Sequence, residues 1–292
     1  FGLLFSYTLG LSGPLALGIA ANMFLGMVES AIVVRAYLER LSRSELFTLM
    51  SVGLANVSGS TMVAYTIILA PVLPNAAAHV LTASIISTPA GVLLARILIP
   101  ESTAAHRATA AYDSGLKFES SMDALASGVQ NGVMVAVNIA AFLVVAVALV
   151  AIVNNVLALA PPIDGEPTTL QSLFARAFAP LAYLIGVPSG EALSAGRVLA
   201  DKLFLTEFAA FLDLGRLGGA LSQHTRMIMT YAVCGFANVA SVGILSGGLS
   251  ALVPERRGEI FALAWRALAP GFLATLMTAA IVAALPIGAF AP

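Results

Sequence analysis

Two glutamates stand alone in long apolar stretches, and each is followed by the same short polar pattern. Glu29 lies in Met23-Phe24-Leu25-Gly26-Met27-Val28-Glu29-Ser30, and Glu207 lies in Leu203-Phe204-Leu205-Thr206-Glu207-Phe208. Downstream of the first comes Gly53-Leu54-Ala55-Asn56-Val57, and downstream of the second Gly235-Phe236-Ala237-Asn238-Val239. A Leu-Ser pair opens the segment before each pattern, at Leu41-Ser42 and Leu221-Ser222. Gly, Ala and Val abound here, so one match alone means little. The acid, the Leu-Ser pair and the Gly-x-Ala-Asn-Val pattern, in the same order twice, mark an internal repeat. A carboxylate at mid-bilayer costs about 2.5–3.5 kcal/mol even on lenient insertion scales, so two of them at matched positions need a reason.

The surroundings are a membrane. Hydrophobic residues make up 59% of the chain and charged residues 10%, where a soluble domain carries about 25% charged residues. The fold class expected is an all-α polytopic protein of the plasma membrane, the inner membrane in a bacterium. The single cysteine, Cys234, sits in an apolar run and reads as mid-helix, which excludes an internal disulfide framework or a cysteine-based metal site. A net charge of −1 gives no reason to expect a nucleic-acid partner. The chain opens at Phe1 within apolar sequence, and a further N-terminal part is expected to precede it.

Residues 1–24, broken by Gly10, Gly13-Pro14 and Gly18, and residues 30–38 both lack the roughly 20 uninterrupted apolar residues of a full span. They read as half-helices meeting at a polar tip near Leu25 to Glu29, a re-entrant hairpin over 1–43. Irregular backbone at that depth is tolerated only where it is buried in protein or lines a cavity. Residues 44–100 hold a helix from Ser44 to about Leu69, unwound near 56–61, and a clean span over about 76–99 closed by Pro100. Residues 101–126, with Glu101, His106, Arg107, Asp113, Lys117 and Glu119, read as a cytoplasmic loop and an interfacial helix. The longest apolar run, 127–160, is a scaffold helix long enough to tilt. An extracellular loop and an amphipathic helix occupy 161–189, the loop marked by Pro161-Pro162 and Asp164-Gly165-Glu166-Pro167. A second hairpin over 190–220 has its tip at Phe204 to Glu207. Residues 221–292 repeat the first-half helices, unwound near 238–241, with a last span over about 262–289.

Hairpins cross nothing net, so the chain crosses three times between them and the two repeats are inverted, joined by the long central helix. Secondary transporters use that design and hold their solutes near the midplane at discontinuous helices. Arg35, Arg40, Arg43, Arg96, Arg107, Lys117, Arg256 and Arg257 fall on one side, while the Asp164/Glu166 loop falls on the other. The basic side is cytoplasmic, so the first hairpin enters from the cytoplasm and the second from outside. Arg197, Lys202 and Arg216 belong to the second hairpin, and a dipping element escapes the loop rule.

The acids could be interfacial groups that reach back to the headgroups. Glutamate is short, however, and Glu207 has Phe204 and Phe208 beside it. The alternative is that both face a polar cavity and accept hydrogen bonds from a solute. Asn22, Asn56 and Asn238 could be helix–helix glue, worth about 0.6 kcal/mol each on average. They could also join carbonyls exposed at unwound helix ends in holding a monovalent cation. Ser241 shares a helix face with Asn238. Gly10-Leu11-Ser12-Gly13 resembles the serine motif of rhomboid intramembrane proteases, with His79 as the candidate partner, which makes an intramembrane hydrolase the remote alternative. No His-Glu-x-x-His, phosphate loop or dinucleotide fingerprint occurs. Trp265 and Arg266 read as an interfacial anchor.

Several motifs, in order, resemble the concentrative nucleoside transporter family. They begin with Gly26-x-x-Glu29, Ser44-Glu45-Leu46-Phe47, Gly53-x-Ala55, Phe178-Ala179-Pro180-Leu181-Ala182 and Gly186-Val187-Pro188. Thr206-Glu207-Phe208, Cys234-Gly235-Phe236-Ala237-Asn238 and Pro254-Glu255-Arg256-Arg257-Gly258 continue the likeness. The resemblance implies a symporter that imports nucleosides by alternating access, works as a homotrimer, and needs no cofactor beyond a coupling ion. By it, Glu207, Asn238 and Ser241 would bind the ribose hydroxyls. Glu29 would serve the nucleobase side, with Met27 and Val28 beside it at the tip, and Thr61 would also be among the substrate-binding residues. Asn22, Asn56 and the carbonyls of Leu25 and Val57 would hold sodium. The family's first tip usually reads Gly-Gln-Thr/Ser-Glu, whereas this one reads Gly26-Met27-Val28-Glu29. That departure implies altered base selectivity, or a different polyhydroxylated or modified-base solute. Asn56 stands where the family has a serine, and some relatives couple to protons.

Overall fold

The computed structural model describes residues 2–101, 119–162, 165 and 167–285, and among them every regular element is a helix. The expected features at His106, Arg107, Asp113, Lys117, Asp164, Glu166 and the end of the 262–289 span lie outside the described residues. The first arm of the first hairpin is two helices, α1 (Gly2–Leu9) and α2 (Gly13–Asn22). Gly10, at φ +59°, turns the chain between them, a conformation glycine adopts without strain. After a tip over 23–28 come α3 (Glu29–Val33) and α4 (Arg35–Leu38).

The next helix is broken as expected, into α5 (Arg43–Ala55) and α6 (Gly59–Leu69). The break is shorter than the 56–61 read from sequence because the Ser58 hydroxyl accepts a hydrogen bond from Thr61 N. That N-cap makes residues 59–61 the first turn of α6. α7 (Ala76–Leu98) is continuous. α8 (Ser121–Leu157) starts ahead of the expected residue 127, because Ser120 caps it by accepting from Asp123 N at 3.1 Å. At 37 residues it is about 55 Å long, well beyond a hydrocarbon core of about 30 Å. α9 (Leu170–Leu184) closes at Gly186, φ +104°.

The second hairpin is α10 (Ala192–Phe204) and α11 (Glu207–Leu217), followed by α12 (Gln223–Val233) and α13 (Val239–Leu252). Asn238 caps α13 by accepting from Ser241 N at 2.7 Å. The break therefore covers 234–238 rather than 238–241, with Ser241 already helical, and Cys234 ends α12 instead of sitting mid-helix. A short 3-10 turn at Pro254–Arg256 leads into α14 (Arg257–Ala283).

The matched Leu-Ser pairs now have a physical role, since both serines cap helices that lead to a break. Ser42 caps α5 in a reciprocal box with Glu45, and the Glu45 carboxylate also accepts from the Ser12 hydroxyl at the base of α2. Ser222 caps α12, and its N–H and hydroxyl both donate at 3.0 Å to Glu191 at the base of α10. Each hairpin is thus tied to the helix that follows it by a serine–glutamate pair. α14 packs against α5, α7 and α12. Arg256 joins its start to the end of the first hairpin by donating to the carbonyls of Leu38 and Leu41, both at 2.7 Å.

The two breaks meet at the centre of the fold. Phe236 N donates to the Asn56 carbonyl at 3.0 Å. A Cβ on Gly235 would lie 2.7 Å from the Ala55 carbonyl oxygen and 2.6 Å from Thr275 Cγ2, so only glycine admits this approach. α8 stands aside from that centre and packs mainly on α13. There the Phe142 ring sits where a Cβ on Gly243 or Gly247 would be, 2.7 and 2.5 Å away. Val144, Leu149, Ile152 and Val156 of α8 are exposed. Among the described residues, four helical stretches are long and apolar enough to cross a membrane: Arg43–Leu69, Ala76–Leu98, Ala140–Leu157 and Pro254–Ala283.

Candidate functional site

The acid of the second hairpin is held by three elements. Glu207 starts α11, is buried, and accepts hydrogen bonds from the Tyr65 hydroxyl of α6 and the Asn238 amide at the α12–α13 break, both at 2.8 Å. Asn238 uses both ends of its amide, donating to Glu207 while its oxygen caps α13 through Ser241 N. Its orientation is therefore fixed by two partners. Tyr65 is fully buried and stacked on Phe211, ring centroids 4.3 Å apart. A carboxylate offers about four lone-pair positions, and these two donors leave acceptor capacity for the hydroxyls of a solute.

The second cluster gathers around the first break. The Asn56 amide nitrogen donates at 3.0 Å to Asn22 Oδ1 and at 3.0 Å to Thr88 Oγ1 of α7. Asn22 in turn donates to the Ser30 hydroxyl at 3.1 Å. Asn56 Oδ1 is buried and has no hydrogen-bond partner, an arrangement that costs free energy unless a donor or a cation arrives. Gly59 N donates to the Phe24 carbonyl at 2.9 Å, which brings the backbone around Leu25 beside the backbone around Val57. All side-chain groups here are neutral. Neutral oxygens suit a monovalent cation and do not take up a proton near neutral pH. Among the described residues no group of three His, Cys, Asp or Glu could hold a metal ion.

The remaining expected residues are placed as follows. Glu29 is exposed, with its carboxylate folded over Gly26 at the hairpin tip. Met27 and Val28 are buried in the packing, Met27 against Gly53 and Val28 against Gly248. Thr61 is half-buried and donates to the Ser58 carbonyl at 2.9 Å. Glu207, Asn238 and Ser241 come together, as do Asn22 and Asn56. α6 links the two clusters, because it begins just after Asn56 and carries Tyr65 onto Glu207.

Tyr65, Ser30 and Thr88 were not read from the sequence. Tyr65 is 142 residues from Glu207 along the chain, and nothing beside it in the sequence points to that partner. Thr88 looks like an ordinary small residue of an apolar span. The candidate hydrolase pair is otherwise engaged: Ser12 bonds Glu45, and His79 bonds the Tyr231 hydroxyl at 3.1 Å.

Comparison with known proteins adds independent findings. Residues 79–283 match the family model described as Na+ dependent nucleoside transporter C-terminus. The chain is 39% identical over 279 residues to the uncharacterized transporter YutK of Bacillus subtilis (strain 168), covering 94% of this chain and 68% of that protein. It is 34% identical over 280 residues to the nucleoside permease NupC of Helicobacter pylori, covering 94% and 65%. It is 31% identical over 305 residues to solute carrier family 28 member 3 of Mus musculus, covering 97% and 42%. The solved structure of CNTnw in an inward-facing substrate-bound state matches with a TM-score of 0.80 and 35% identity, covering 97% of this chain and 67% of that one. The chain thus spans about two thirds of the length of these bacterial relatives and under half of the mouse one.

Proposed function

Since this chain belongs to the Na+-dependent nucleoside transporter family, we propose that it imports nucleosides by symport across the membrane in which its helices lie. The observation that carries the reading is the buried Glu207, oriented by Tyr65 and Asn238 with acceptor capacity to spare. In this reading two ribose hydroxyls donate to Glu207, with Asn238 and Ser241 alongside. Glu29 and Thr61 face the base, and the tip at Met27 and Val28 adds no polar contact. Sodium, a co-transported substrate here, binds between Asn22, Asn56 and the carbonyls of Leu25 and Val57. The unpartnered Asn56 Oδ1 and the neutral oxygen set favour sodium over a proton as the coupling ion.

The two hairpins α2/α3 and α10/α11 are re-entrant. α10, at 13 residues, is about 20 Å long, too short to span. The hairpins and the broken helices move together against α8, exposing the site to each side in turn. One positive charge moved through 100 mV supplies about 2.3 kcal/mol, which is about fifty-fold accumulation. The protein works as a homotrimer in a bacterial inner membrane and leaves its solute chemically unchanged.

A second reading keeps the mechanism and changes the solute. Met27 and Val28 offer the base no hydrogen bond from this tip, which favours a solute whose base is less polar or differently decorated. Uptake of labelled uridine and adenosine into proteoliposomes, with and without an inward sodium gradient, tests the main reading. Gradient-driven accumulation is the expected result. Uptake of neither nucleoside, or uptake indifferent to any cation gradient, counts against it.

A further inference from the structure

α6 touches both hairpins, and the transport reading above uses it only to carry side chains. Its first residue meets the tip of the first hairpin. Gly59 N donates to the Phe24 carbonyl at 2.9 Å, and a Cβ at Gly59 would lie 2.8 Å from that oxygen. Ser58 caps the helix there by accepting from Thr61 N at 3.3 Å, while the Thr61 hydroxyl donates back to the Ser58 carbonyl at 2.9 Å. Farther along, the helix lies against α11 of the second hairpin. The buried Tyr65 ring stacks on Phe211 with centroids 4.3 Å apart, and Ile68 Cγ2 comes within 3.2 Å of where a Gly215 Cβ would stand. From Gly59 to Tyr65 is about 9 Å of capped helix, a strut between the two tips.

The strut runs from one proposed site to the other. Its Gly59–Phe24 hydrogen bond joins the two stretches whose carbonyls, at Leu25 and Val57, are proposed to hold sodium. An ion held by both stretches draws the first tip and the start of α6 together. At the far end the Tyr65 hydroxyl donates to Glu207 Oε1 at 2.8 Å. The second donor to Glu207 traces back to the same break. Phe236 N donates to the Asn56 carbonyl at 3.0 Å, and Asn238, two residues on, donates to Glu207 Oε2 at 2.8 Å. Both carboxylate oxygens are thus held by groups whose register is set at residues 56–59. Rigid elements and hydrogen bonds of this kind are what carry coupling between sites.

We propose that Tyr65 is a positioning residue that couples the ion to the solute. Sodium at the first break fixes the strut, the strut sets the Tyr65 hydroxyl, and the hydroxyl aligns Glu207 Oε1 for the hydroxyls of the solute. The link from Asn56 through Phe236 to Asn238 does the same for Oε2, so Tyr65 carries one of two routes. By linkage, a solute on Glu207 raises the affinity for sodium by the same factor as sodium raises the affinity for solute. The proposal rests on the transport reading.

The test is equilibrium binding of labelled uridine to the purified protein in detergent, in saturating sodium and with choline in its place, for wild type and Tyr65→Phe. Phenylalanine keeps the ring on Phe211 and removes only the hydroxyl. In wild type, sodium should tighten uridine binding about tenfold. With one of two equal routes cut, Tyr65→Phe should keep about threefold of that, and in choline it should bind uridine as wild type does. A sodium-to-choline ratio left intact overturns the proposal, also where binding weakens equally in both salts, which is the pattern of a packing role. Should the Phe variant not fold, Gly59→Ala tests the other end of the strut. Its Cβ, 2.8 Å from the Phe24 oxygen, parts α6 from the first tip while leaving Tyr65 and Glu207 as they are. The ratio should fall there too, and an unchanged one overturns the proposal equally. A wild-type ratio that survives in the variants sinks the Tyr65 assignment alone. Wild-type binding indifferent to sodium sinks the sodium coupling along with it, and no uridine binding in either salt sinks the transport reading.

Discussion

Replacing Glu207 by glutamine preserves shape and removes charge, and the structure says where each part of the loss should appear. The native carboxylate accepts from Tyr65 and from Asn238, both at 2.8 Å. Asn238 cannot turn its amide over without giving up the α13 cap on Ser241 N. The glutamine oxygen must therefore accept from Asn238 while its NH2 faces the Tyr65 hydroxyl. A hydrogen bond to a charged group is worth about 1.5–3 kcal/mol and a neutral one about 0.5–1.5 kcal/mol, so each internal bond weakens by about 1 kcal/mol. These internal losses exist with and without solute and appear as lowered thermal stability. The binding loss comes from the two ribose hydroxyls proposed to use the remaining lone pairs. At about 1 kcal/mol each it totals about 2 kcal/mol, or about thirty-fold in uptake efficiency. Uridine and 2′,3′-dideoxyuridine uptake into proteoliposomes separates the terms. Glu207→Gln should lose about thirty-fold on uridine and little on the dideoxy analogue, which lacks the donors. Wild-type efficiency on uridine, or an equal loss on both compounds, refutes the ribose assignment.

Other perturbations probe other parts of the molecule. Asn22→Ala removes one oxygen of the proposed ion site and an acceptor of the Asn56 amide. The sodium concentration for half-maximal uptake should rise about tenfold, the equivalent of one neutral hydrogen bond, and an unchanged sodium curve would remove Asn22 from the site. Gly248→Ala places a Cβ 2.6 Å from Val28 Cγ1. Overpacking of this kind costs about 1–3 kcal/mol, seen as a lower unfolding temperature in detergent, and adding Val28→Ala should restore much of it. Burial alone would push the Glu191 carboxyl up, but hydrogen bonds from Thr225 and Ser222 and the charge of Arg226 outweigh it and hold the group below its ordinary value. A depressed carboxylate contributes stability that is present above its unfolded pKa and lost as pH falls through the folded one. Glu191→Gln should thus lower the unfolding temperature at neutral pH and differ little from wild type in acid; equal effects at both would show the carboxylate charge to be irrelevant.

What the sequence disclosed and what it hid follow from how each signal is generated. Glu29, Glu207 and the two asparagine patterns were visible because a polar group is conspicuous in apolar sequence. The Leu-Ser pairs were visible as repeats, although their capping role needed Glu191 and Glu45 brought to them by the hairpins. The first break is shorter than its sequence suggests, and the second lies N-terminal of the residues that suggested it. Small polar residues look unwound on paper, yet a capping Ser58 or Asn238 makes the residues after it helical. Tyr65 and Thr88 were hidden because their polarity is used only after distant helices pack. Which way Met27 and Val28 face depends on Gly53 and Gly248 across the fold, and no local pattern reports that.

The seat of Phe142 between Gly243 and Gly247 bears on how freely the core could travel. No hydrogen bond or ion pair is described between α8 and α13, so shifting one along the other breaks no directional bond among the described residues. What must be undone is the lodging of a half-buried ring in a glycine notch, on the order of 2 kcal/mol for an aromatic of that size. A ratchet with a single shallow tooth holds its position at rest and slips under modest load. A bulkier residue in place of either glycine would lift the tooth from its notch and leave the rail without a stop.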